Sequence, residues 1–254
     1  MSTDCFVPGD NAGRGQSGSL WSLGGGCPWG DIVRDRNRGF VIEDDFEGVP
    51  AATTGTVGKW VATAATAGTF GGIAGEGGLA ECDSASGTAD QGIQIQRHNA
   101  SILPAANRKI WYEFRGKVID LVTNAQLFMG LSELDTTIFA AGANTSANHV
   151  GFEANAVSIA ANPGKLQFEG EKAGARAEVA NVKTLAEDTF FKAGFYINGL
   201  TDVTIVVDGV INGTKIVTAN IPIVAVAPTF ACLSEGASDP ILTLDWMRCA
   251  VLFV

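Results

Sequence analysis

The sequence predicts an all-β protein built as one large sandwich. Apolar and polar residues alternate over many short segments, which is typical of strands with one buried face. Charged residues make up only 17% of the chain and glycine occurs 32 times, a composition that favours sheets joined by tight turns. Helical periodicity is weak, and its best example, 183–188, is long enough for about two turns. A chain of 254 residues of this kind folds as a single domain, so we expect one core.

The clearest strands lie in the middle of the chain. Residues 93–96 alternate strictly, residues 111–118 alternate large apolar with polar side chains, and residues 203–207 are β-branched. Asp208 and Gly209 follow the last of these and predict a hairpin turn. Further strands are predicted at 125–131, 150–153, 165–169, 189–197, 215–219, 229–233 and 241–253.

Two other segments have weaker signals. Residues 51–78 are rich in Ala, Gly and Thr, but Trp60 and Phe70 provide apolar anchors for them. Residues 221–227 are apolar but contain Pro222, which restricts them to an edge strand or a crossing loop because proline donates no ladder hydrogen bond.

Acidic and aromatic residues mark both ends of the sandwich region. In strands, Phe46 near the start and Trp246 near the end would alternate into the core together with Leu242 and Leu244. Asp245 would then point the other way. We therefore expect Asp245 to form a salt bridge or a turn hydrogen bond.

Residues 1–40 differ from the rest and predict an extended arm ahead of a sandwich domain at 41–254. Stretches rich in Gly, Ser and Asn surround isolated aromatic residues at Phe6, Trp21 and Trp29. Such residues are suited to filling apolar pockets. The pockets can belong to a partner or to the sandwich itself, and the sequence favours neither alternative.

The charge balance excludes one class of partner and suggests another. The net charge of −10 argues against binding nucleic acid, whose phosphates attract Lys and Arg. Arg34, Arg36 and Arg38 are an exception, because alternate residues of a strand share one side. They would dock on an acidic protein surface or form a solvated basic turn.

The cysteines and the apolar pattern indicate an intracellular site of assembly. The 5 cysteines are scattered and form no C-x-x-C pair, which favours a reducing compartment. We see neither a signal peptide nor a run of apolar residues long enough to span a membrane. His98 and His149 are 51 positions apart and each stands beside an Asn, so we expect no metal and no cofactor.

The order of these signals resembles the concanavalin A-like (laminin-G-like) jelly roll over residues 41–254. The motifs that carry the resemblance are Asp44-Asp45-Phe46, Trp60, 111–115, 127–132, 150–152, 165–168, 195–196, 207–209 and 244–246. Some enzymes of this fold, the laminarinase-like glycoside hydrolases, carry alternating carboxylates on one strand. Glu133 and Asp135 begin that pattern, but Thr137 or Ile138 stands where the general acid should be. Because retaining hydrolysis needs two carboxyls, we expect no enzyme and no catalytic residues.

Lectin-like sandwiches also bind sugars without cleaving them, and this leaves a second interpretation of the polar loops. The side chains available as sugar or calcium ligands are Asp83, Asp90, Asn144, Asn148 and Asp239. They are dispersed singly in loops rich in Gly, Ser and Ala. Asn and Asp are favoured there for turn geometry alone, which is the interpretation we prefer.

A narrower resemblance concerns the arm together with the sandwich. Cys27-Pro28-Trp29 in an arm, followed by the Asp-Asp-Phe opening of a lectin-like body, is similar to structural proteins of tailed bacteriophages. The resemblance implies a non-enzymatic virion protein assembled in a bacterial cytoplasm. We expect a capsid decoration protein that forms a homo-oligomer, a trimer, and binds major capsid subunits through its arm. The alternative is a carbohydrate-binding tail, fibre or adsorption protein that binds a surface glycan.

Overall fold

The computed structural model describes residues 16–25, 28–51, 54–85, 91–120, 125–140, 143–154, 164–234, 236 and 239–254. Over these residues the chain is a two-layer sandwich of antiparallel strands, which confirms the predicted all-β class. None of the described helices is long and apolar enough to cross a membrane.

Two short helices precede the strands, α1 (Gly18–Trp21) and α2 (Pro28–Arg34). The strands that follow are, in chain order, β1 (Gly39–Asp44), β2 (Gly55–Val57), β3 (Trp60–Ala65), β4 (Thr69–Ile73), β5 (Leu79–Asp83), β6 (Gln91–Arg97), β7 (Arg108–Ile119), β8 (Ala125–Ser132), β9 (Phe139–Ala140), β10 (Ala143–Asn144), β11 (Asn148–Ala154), β12 (Lys165–Lys172), β13 (Ala175–Thr184), β14 (Phe191–Asn198), β15 (Asp202–Val207), β16 (Val210–Val217), β17 (Ala227–Ser234) and β18 (Ile241–Phe253).

The strands form two large sheets. Sheet I has the order β16-β15-β14-β7-β18-β5-β4, and β1 pairs with the second half of β18. Sheet II has the order β13-β12-β11-β8-β17-β6-β3-β2. A small hairpin of β9 and β10 lies outside both sheets.

The core lies between the two sheets and is rich in phenylalanine. Alternate residues of each strand point inward, so Phe152 and Phe168 of sheet II meet Phe195 of sheet I, with the rings of Phe168 and Phe195 centred 5.3 Å apart. Phe114 of sheet I likewise packs edge-on against Phe230 of sheet II, at 5.6 Å. These rings are fully buried, so each stabilises the sandwich by roughly 2–3 kcal/mol.

Most predicted strands are confirmed, and 241–253 matches β18 at both ends. The anchors Trp60 and Phe70 are buried in the core as predicted. Residues 221–227 lie mostly outside the strands, joined to the sandwich by a bridge between Ile102 and Val226, so they cross between elements. The helix predicted at 183–188 is wrong, because its first two residues end β13.

The predicted hairpin turn is present between β15 and β16. Asp208 and Gly209 have φ values of 48° and 78°, the left-handed conformation that a two-residue turn between twisted strands requires. The Asp208 carboxylate holds the turn in place by accepting hydrogen bonds from the Lys192 amide at 2.9 Å and from the Lys183 ammonium at 2.6 Å.

The strands at the sheet margins are short or irregular. In β16, residues 212–214 bulge opposite β15, and in β13 residues 180–182 bulge opposite β12, with Asn181 at a φ of 56°. Strand β2 has only 3 residues. In β4 the Gly72 amide donates to the Pro50 carbonyl at 2.9 Å, outside any strand.

The two ends of the sandwich region behave differently from each other. Phe46 is buried and stacks on Trp60 at 5.7 Å, which confirms its predicted core position. Trp246 is buried as predicted, but outside the core between the sheets, because β18 is irregular at Asp245 and the alternation shifts there by one residue. Leu244 and Met247 therefore enter the core and Trp246 does not. Asp245 forms an ion pair with Arg115, which confirms the predicted salt bridge.

Candidate functional site

The described part of the N-terminal arm is helical and packs on its own sandwich. Residues 18–21 and 28–34 form α1 and α2, which differs from the extended arm that the sequence predicts. The reason is the apolar outer face of sheet I around Trp111 and Tyr196, which Leu20, Trp21 and Ile32 cover. Of the two alternatives that the sequence leaves open for the aromatic anchors, the structure shows the intramolecular one for Trp21.

Trp21 is the centre of this contact and is 0% exposed. Its ring lies 5.1 Å from that of Trp29, and its indole Nε1 donates to Glu113 Oε2 at 2.6 Å. The backbone amide of Ser17 donates to the same carboxylate, at 3.1 Å from Oε1. Burial raises the pKa of Glu113 even though Ser17 and Trp21 donate to its charged form.

The other predicted partner-binding residues are placed less deeply. Trp29 is half-buried beside Trp21. Arg34 ends α2, while Arg36 and Arg38 lie in the following 3-10 turn, so the prediction that the three arginines share one side of a strand is wrong. All three are exposed, and Arg38 pairs with Asp31 at 3.3 Å. Phe6 lies outside the described residues.

The outer face of sheet II carries a second set of polar side chains. Strand alternation turns Gln94 and Gln96 of β6 and Thr63 of β3 toward this face. In the middle of the sheet Gly130 of β8 and Gly151 of β11 lie opposite each other, and a Cβ on Gly130 would stand only 2.6 Å from the Gly151 Cα. The two glycines leave room for the ring of Phe128, whose Cζ lies 3.2 Å and 3.1 Å from where the two Cβ atoms would stand.

A segment of the chain lies across this face, and we call residues 133–147, without 141 and 142, the covering segment. Gln96 accepts from the Asp135 amide at 3.1 Å and donates to the Glu133 carbonyl at 2.9 Å. Gln94 accepts from the Ile138 amide at 2.9 Å and donates to the Asp135 carbonyl. The two glutamines thus hold the covering segment as a neighbouring strand would.

The underside of the covering segment is apolar. Ile138 and Phe139 are buried against Phe128, Ala231 and Leu233, which all stand on the outer face of sheet II. The middle of that face is consequently packed by the chain itself and is closed to a ligand.

An open cleft remains between the covering segment and strands β3 and β6. It has a volume of about 380 Å³, and a smaller pocket of about 130 Å³ continues it past Thr63 and Thr136. The cleft is lined by Val61, Thr63, Gln94, Gln96, Arg97, His98, Leu134, Asp135 and Thr136.

Glu133 and Asp135, the residues that begin the glycosidase pattern, lie in the covering segment. Glu133 Oε2 accepts from Asn148 Nδ2 at 3.0 Å, and Asp135 Oδ1 accepts from the Thr137 amide at 2.8 Å. Asp135 borders the cleft, but no second carboxylate is among the cleft residues.

The loop residues considered as sugar or calcium ligands are engaged in local hydrogen bonds and do not form one group. Asn144 Oδ1 accepts from the Ser146 amide at 3.0 Å, and Asp83 Oδ1 accepts from the Ala85 amide at 2.7 Å. Asp239 accepts from the Ser84 hydroxyl at 2.9 Å. These bonds agree with the turn interpretation. Asp90 lies outside the described residues.

Sequence reasoning missed a buried ionisable cluster at the other end of the same face. His149 and Glu153 of β11 stand beside Glu169 of β12, and all three are fully buried. His149 Nε2 lies 3.0 Å from Glu169 Oε1, and Arg176 of β13 donates to Glu169 Oε2 at 2.5 Å. The sequence does show polar residues at even spacing within each strand, Glu169 and Glu171 on β12 and His149 and Glu153 on β11. Only the pairing of β11 with β12 shows that these residues are neighbours.

Burial controls the protonation of this cluster. Loss of solvent raises the pKa of Glu153 to about 8, and the neighbouring charge of Glu169 contributes in the same direction. Loss of solvent also raises the pKa of Glu169 to about 7, against the attraction of Arg176. Burial lowers the pKa of His149. Glu153 therefore carries its proton at neutral pH.

This geometry does not suit hydrolysis or metal binding. The two carboxyls of Glu153 and Glu169 are fully buried, whereas a retaining glycosidase holds its two carboxyls around a bound sugar. Ligand atoms of His149, Glu169 and Glu171 lie within 4.8 Å of one another, but His149 and Arg176 already occupy the Glu169 oxygens. Hydrogen bonds and one ion pair account for the cluster, and we assign no metal to it.

Solved structures with this architecture include carbohydrate-active proteins. The chain is similar to endo-1,3-beta-glucanase from Streptomyces sioyaensis, at 12% identity and a TM-score of 0.57 over 84% of this chain and 96% of that one. It is similar to peanut lectin at 13% identity and a TM-score of 0.51, over 85% and 98% of the two chains. A protein of unknown function from Shewanella oneidensis MR-1 matches at 11% identity and a TM-score of 0.59, over 85% and 87%. The fold is the concanavalin A-like jelly roll.

At these identities the likeness shows the jelly roll and nothing finer. No protein-family model and no curated protein sequence matches the chain.

Proposed function

We propose that this jelly roll is a non-catalytic carbohydrate-binding protein whose ligand lies in the cleft beside the covering segment. The observation that carries the proposal is the cleft itself, an open space of about 380 Å³ on the outer face of sheet II. Ligand sites of small molecules are concave and of about this volume or larger. Among the described residues of this face, the middle is packed and the cleft is open.

The lining of the cleft has the two kinds of surface that a sugar needs. Leu134, which is 52% exposed, and Val61 offer apolar contact to the C–H face of a pyranose ring. Thr63, His98 and Asp135 border the same space and supply hydroxyl, imidazole and carboxylate groups for sugar hydroxyls. The likeness to a lectin and a glucanase supports a carbohydrate as the ligand.

The assignment as non-catalytic rests on the carboxylates. Asp135 is the one carboxylate among the residues lining the cleft, and an acid–base mechanism of glycoside hydrolysis requires two. The paired carboxyls of Glu153 and Glu169 are fully buried, so a glycosidic bond does not reach them.

Thr63→Trp is expected to abolish glycan binding, because the indole would occupy the cleft while the strand stays intact. The wild type is first applied to a glycan array that includes β-1,3-glucan oligosaccharides, and the best oligosaccharide is titrated by calorimetry. Affinity should fall at least tenfold in the variant. Thr184→Trp, at the exposed far edge of the same sheet, is the matched control and should bind like the wild type. A silent array, or equal binding by the Thr63 variant, would refute the proposal.

A second candidate function is the virion role, as a capsid decoration protein that binds major capsid subunits. The observation that favours it is a patch at the end of α2, where Val33 is 79% exposed and Arg34 and Arg36 are exposed with no ion pair to any described residue. On a chain of net charge −10 such a patch is suited to an acidic protein partner. The partner would be a capsid subunit, and the oligomer a trimer.

The double variant Arg34→Glu, Arg36→Glu is expected to reduce capsid binding at least tenfold by reversing the charge of this patch. Co-sedimentation with shells of the major capsid protein encoded in the same genome measures it. Lys59→Glu, Lys172→Glu makes the same charge change away from the arm and should leave binding unchanged. Equal binding by both variants would remove the arm from the interface. Because Trp21 is part of the folded sandwich, deleting the arm would not be a clean test.

A further inference from the structure

The imidazole of His149 lies between two hydrogen-bond acceptors. Nδ1 is 2.8 Å from the Ser146 carbonyl oxygen, and Nε2 is 3.0 Å from Glu169 Oε1. The ring is fully buried and stands edge-on to Phe128, so water does not substitute for either contact.

Counting protons shows what this arrangement requires. The carbonyl of Ser146 only accepts, so Nδ1 must carry a proton. A second proton must then lie between Nε2 and Glu169, on either the nitrogen or the oxygen. The pair of His149 and Glu169 thus satisfies both contacts only while it holds two protons. With only one proton, one of the two ring nitrogens is unprotonated, and its lone pair then faces a lone pair of the neighbouring oxygen.

When the pair loses one proton, the hydrogen bond that should be lost is the one from His149 Nδ1 to the Ser146 carbonyl. A hydrogen bond to an ionised carboxylate is roughly twice as strong as one to a neutral carbonyl. After loss of one proton the remaining proton therefore moves to Nε2 and bonds Glu169, and Nδ1 repels the Ser146 carbonyl. The change is a switch of tautomer in a ring that does not otherwise move.

Ser146 belongs to the covering segment, and its neighbourhood anchors one end of that segment. The Ser146 hydroxyl hydrogen-bonds the Ser132 hydroxyl at 2.8 Å. Next to it the Glu133 amide donates to the Asn148 carbonyl at 3.0 Å, and the Asn148 amide group donates to the Glu133 carboxylate at 3.0 Å. Loss of the contact between His149 and Ser146 is therefore expected to loosen the hydrogen bonds at Glu133, where the wall of the cleft begins.

We propose that a proton shared by His149 and Glu169 locks the covering segment onto sheet II, and that its loss as the pH rises releases the segment and opens the wall of the cleft. The expected effect on ligand binding rests on the proposed carbohydrate site, whereas the lock itself does not depend on that site.

Every charged group around the pair is accounted for in the part of the chain that the structure describes. Glu153 faces the pair from β11, Glu171 stands on β12, and Arg176 and Glu178 face the pair from β13, 3.6 Å apart. Residues 155–163, which follow β11, contain no ionisable side chain. Burial raises the pKa of Glu169 to about 7, which places the loss of the proton near neutral pH.

The tautomer of His149 is the direct measurement and needs no variant. In the full-length protein labelled with ¹⁵N-histidine, the two ring nitrogens have distinct chemical shifts when protonated and unprotonated. We expect Nδ1–H near pH 6 and Nε2–H near pH 9, and the second histidine, His98, is exposed and provides an internal reference. A ring that keeps Nδ1–H up to pH 9.5 would overturn the proposal.

Hydrogen exchange then tests the covering segment. The protection of the Asp135 and Ile138 amides, which bond Gln96 and Gln94, should fall at least tenfold between pH 6.5 and pH 9. Glu169→Gln keeps a permanent donor toward His149 and should hold the protection constant. Glu76→Gln removes an exposed carboxylate in the turn between β4 and β5, in the other sheet, and should behave like the wild type. Protection that is independent of pH in the wild type would contradict the lock.

The two proposals fail in different ways. If protection falls with pH but no glycan binds at any pH, the lock stands and the carbohydrate site is refuted. If a glycan binds with the same affinity at pH 6.5 and pH 9 while protection is constant, the site stands and the lock is refuted. If both hold, glycan affinity should drop at least threefold over the same range.

Discussion

Trp21→Ala should lower the free energy of unfolding by about 3–5 kcal/mol, the usual cost of removing a fully buried large aromatic side chain. Trp21 is 0% exposed and packs among Leu20, Ile32 and Trp111 on the outer face of sheet I. The change also removes a hydrogen-bond donor from the buried Glu113 carboxylate, and leaving a buried group short of a partner costs about 1–3 kcal/mol within that total.

Urea unfolding at pH 7, followed by circular dichroism, measures the effect. Trp21→Phe keeps most of the apolar contact and loses only the indole N–H, so it should fall between the wild type and the alanine variant. Val33→Ala, at a position 79% exposed in the same arm, should change the stability by less than about 0.5 kcal/mol. An alanine variant as stable as the wild type would show that the arm does not pack on its own sandwich in solution.

Glu153→Gln should remove a large part of the pH dependence of stability. The pKa of Glu153 is raised from 4.5 to about 8, so between these values the folded protein holds a proton that the unfolded chain releases. The stabilisation is complete at acid pH and is lost as the pH rises to about 8. Glutamine cannot ionise and keeps an N–H to donate to Glu169. The variant should therefore resemble the wild type at pH 5 and exceed its melting temperature at pH 9 by roughly 5 °C.

Calorimetry of both proteins from pH 4.5 to pH 9.5 provides the comparison. Glu76→Gln, at an exposed position in the turn between β4 and β5, is the matched control and should follow the wild-type curve. Two parallel curves for wild type and Glu153→Gln would show that Glu153 is already ionised at neutral pH, contrary to its burial.

The sequence predicts the strands well wherever one face is buried. Residues 241–253 read as a strand because apolar side chains recur along them, and the structure has the same bounds for β18. Strand β13 was not predicted, because most of its residues are exposed and its alanines and charged residues carry no period-two apolar signal. Trp246 was assigned to the core because an irregularity at a single residue, Asp245, cannot be read from alternation alone.

The site was less predictable than the fold. Glu133 and Asp135 were noticed because they are close in sequence, whereas His149 and Glu169 are 20 residues apart and meet only through the pairing of two strands. The anchors of the arm posed a different problem. An apolar pocket on the same chain and one on a partner attract Trp21 through the same hydrophobic effect, so composition could not separate the two.

The irregular margins of the two sheets restrict how copies of this protein can associate. A foreign strand adds to a sheet only where an unbroken row of amide and carbonyl groups is exposed. The bulges of β16 and β13, the brevity of β2 and the bond from Gly72 to Pro50 each break that row. These four edge strands therefore resist the addition of a foreign strand at high concentration. An assembly formed through these four edges would have to rely on side-chain surfaces, so a dense array joined there could form without fusing into fibrils.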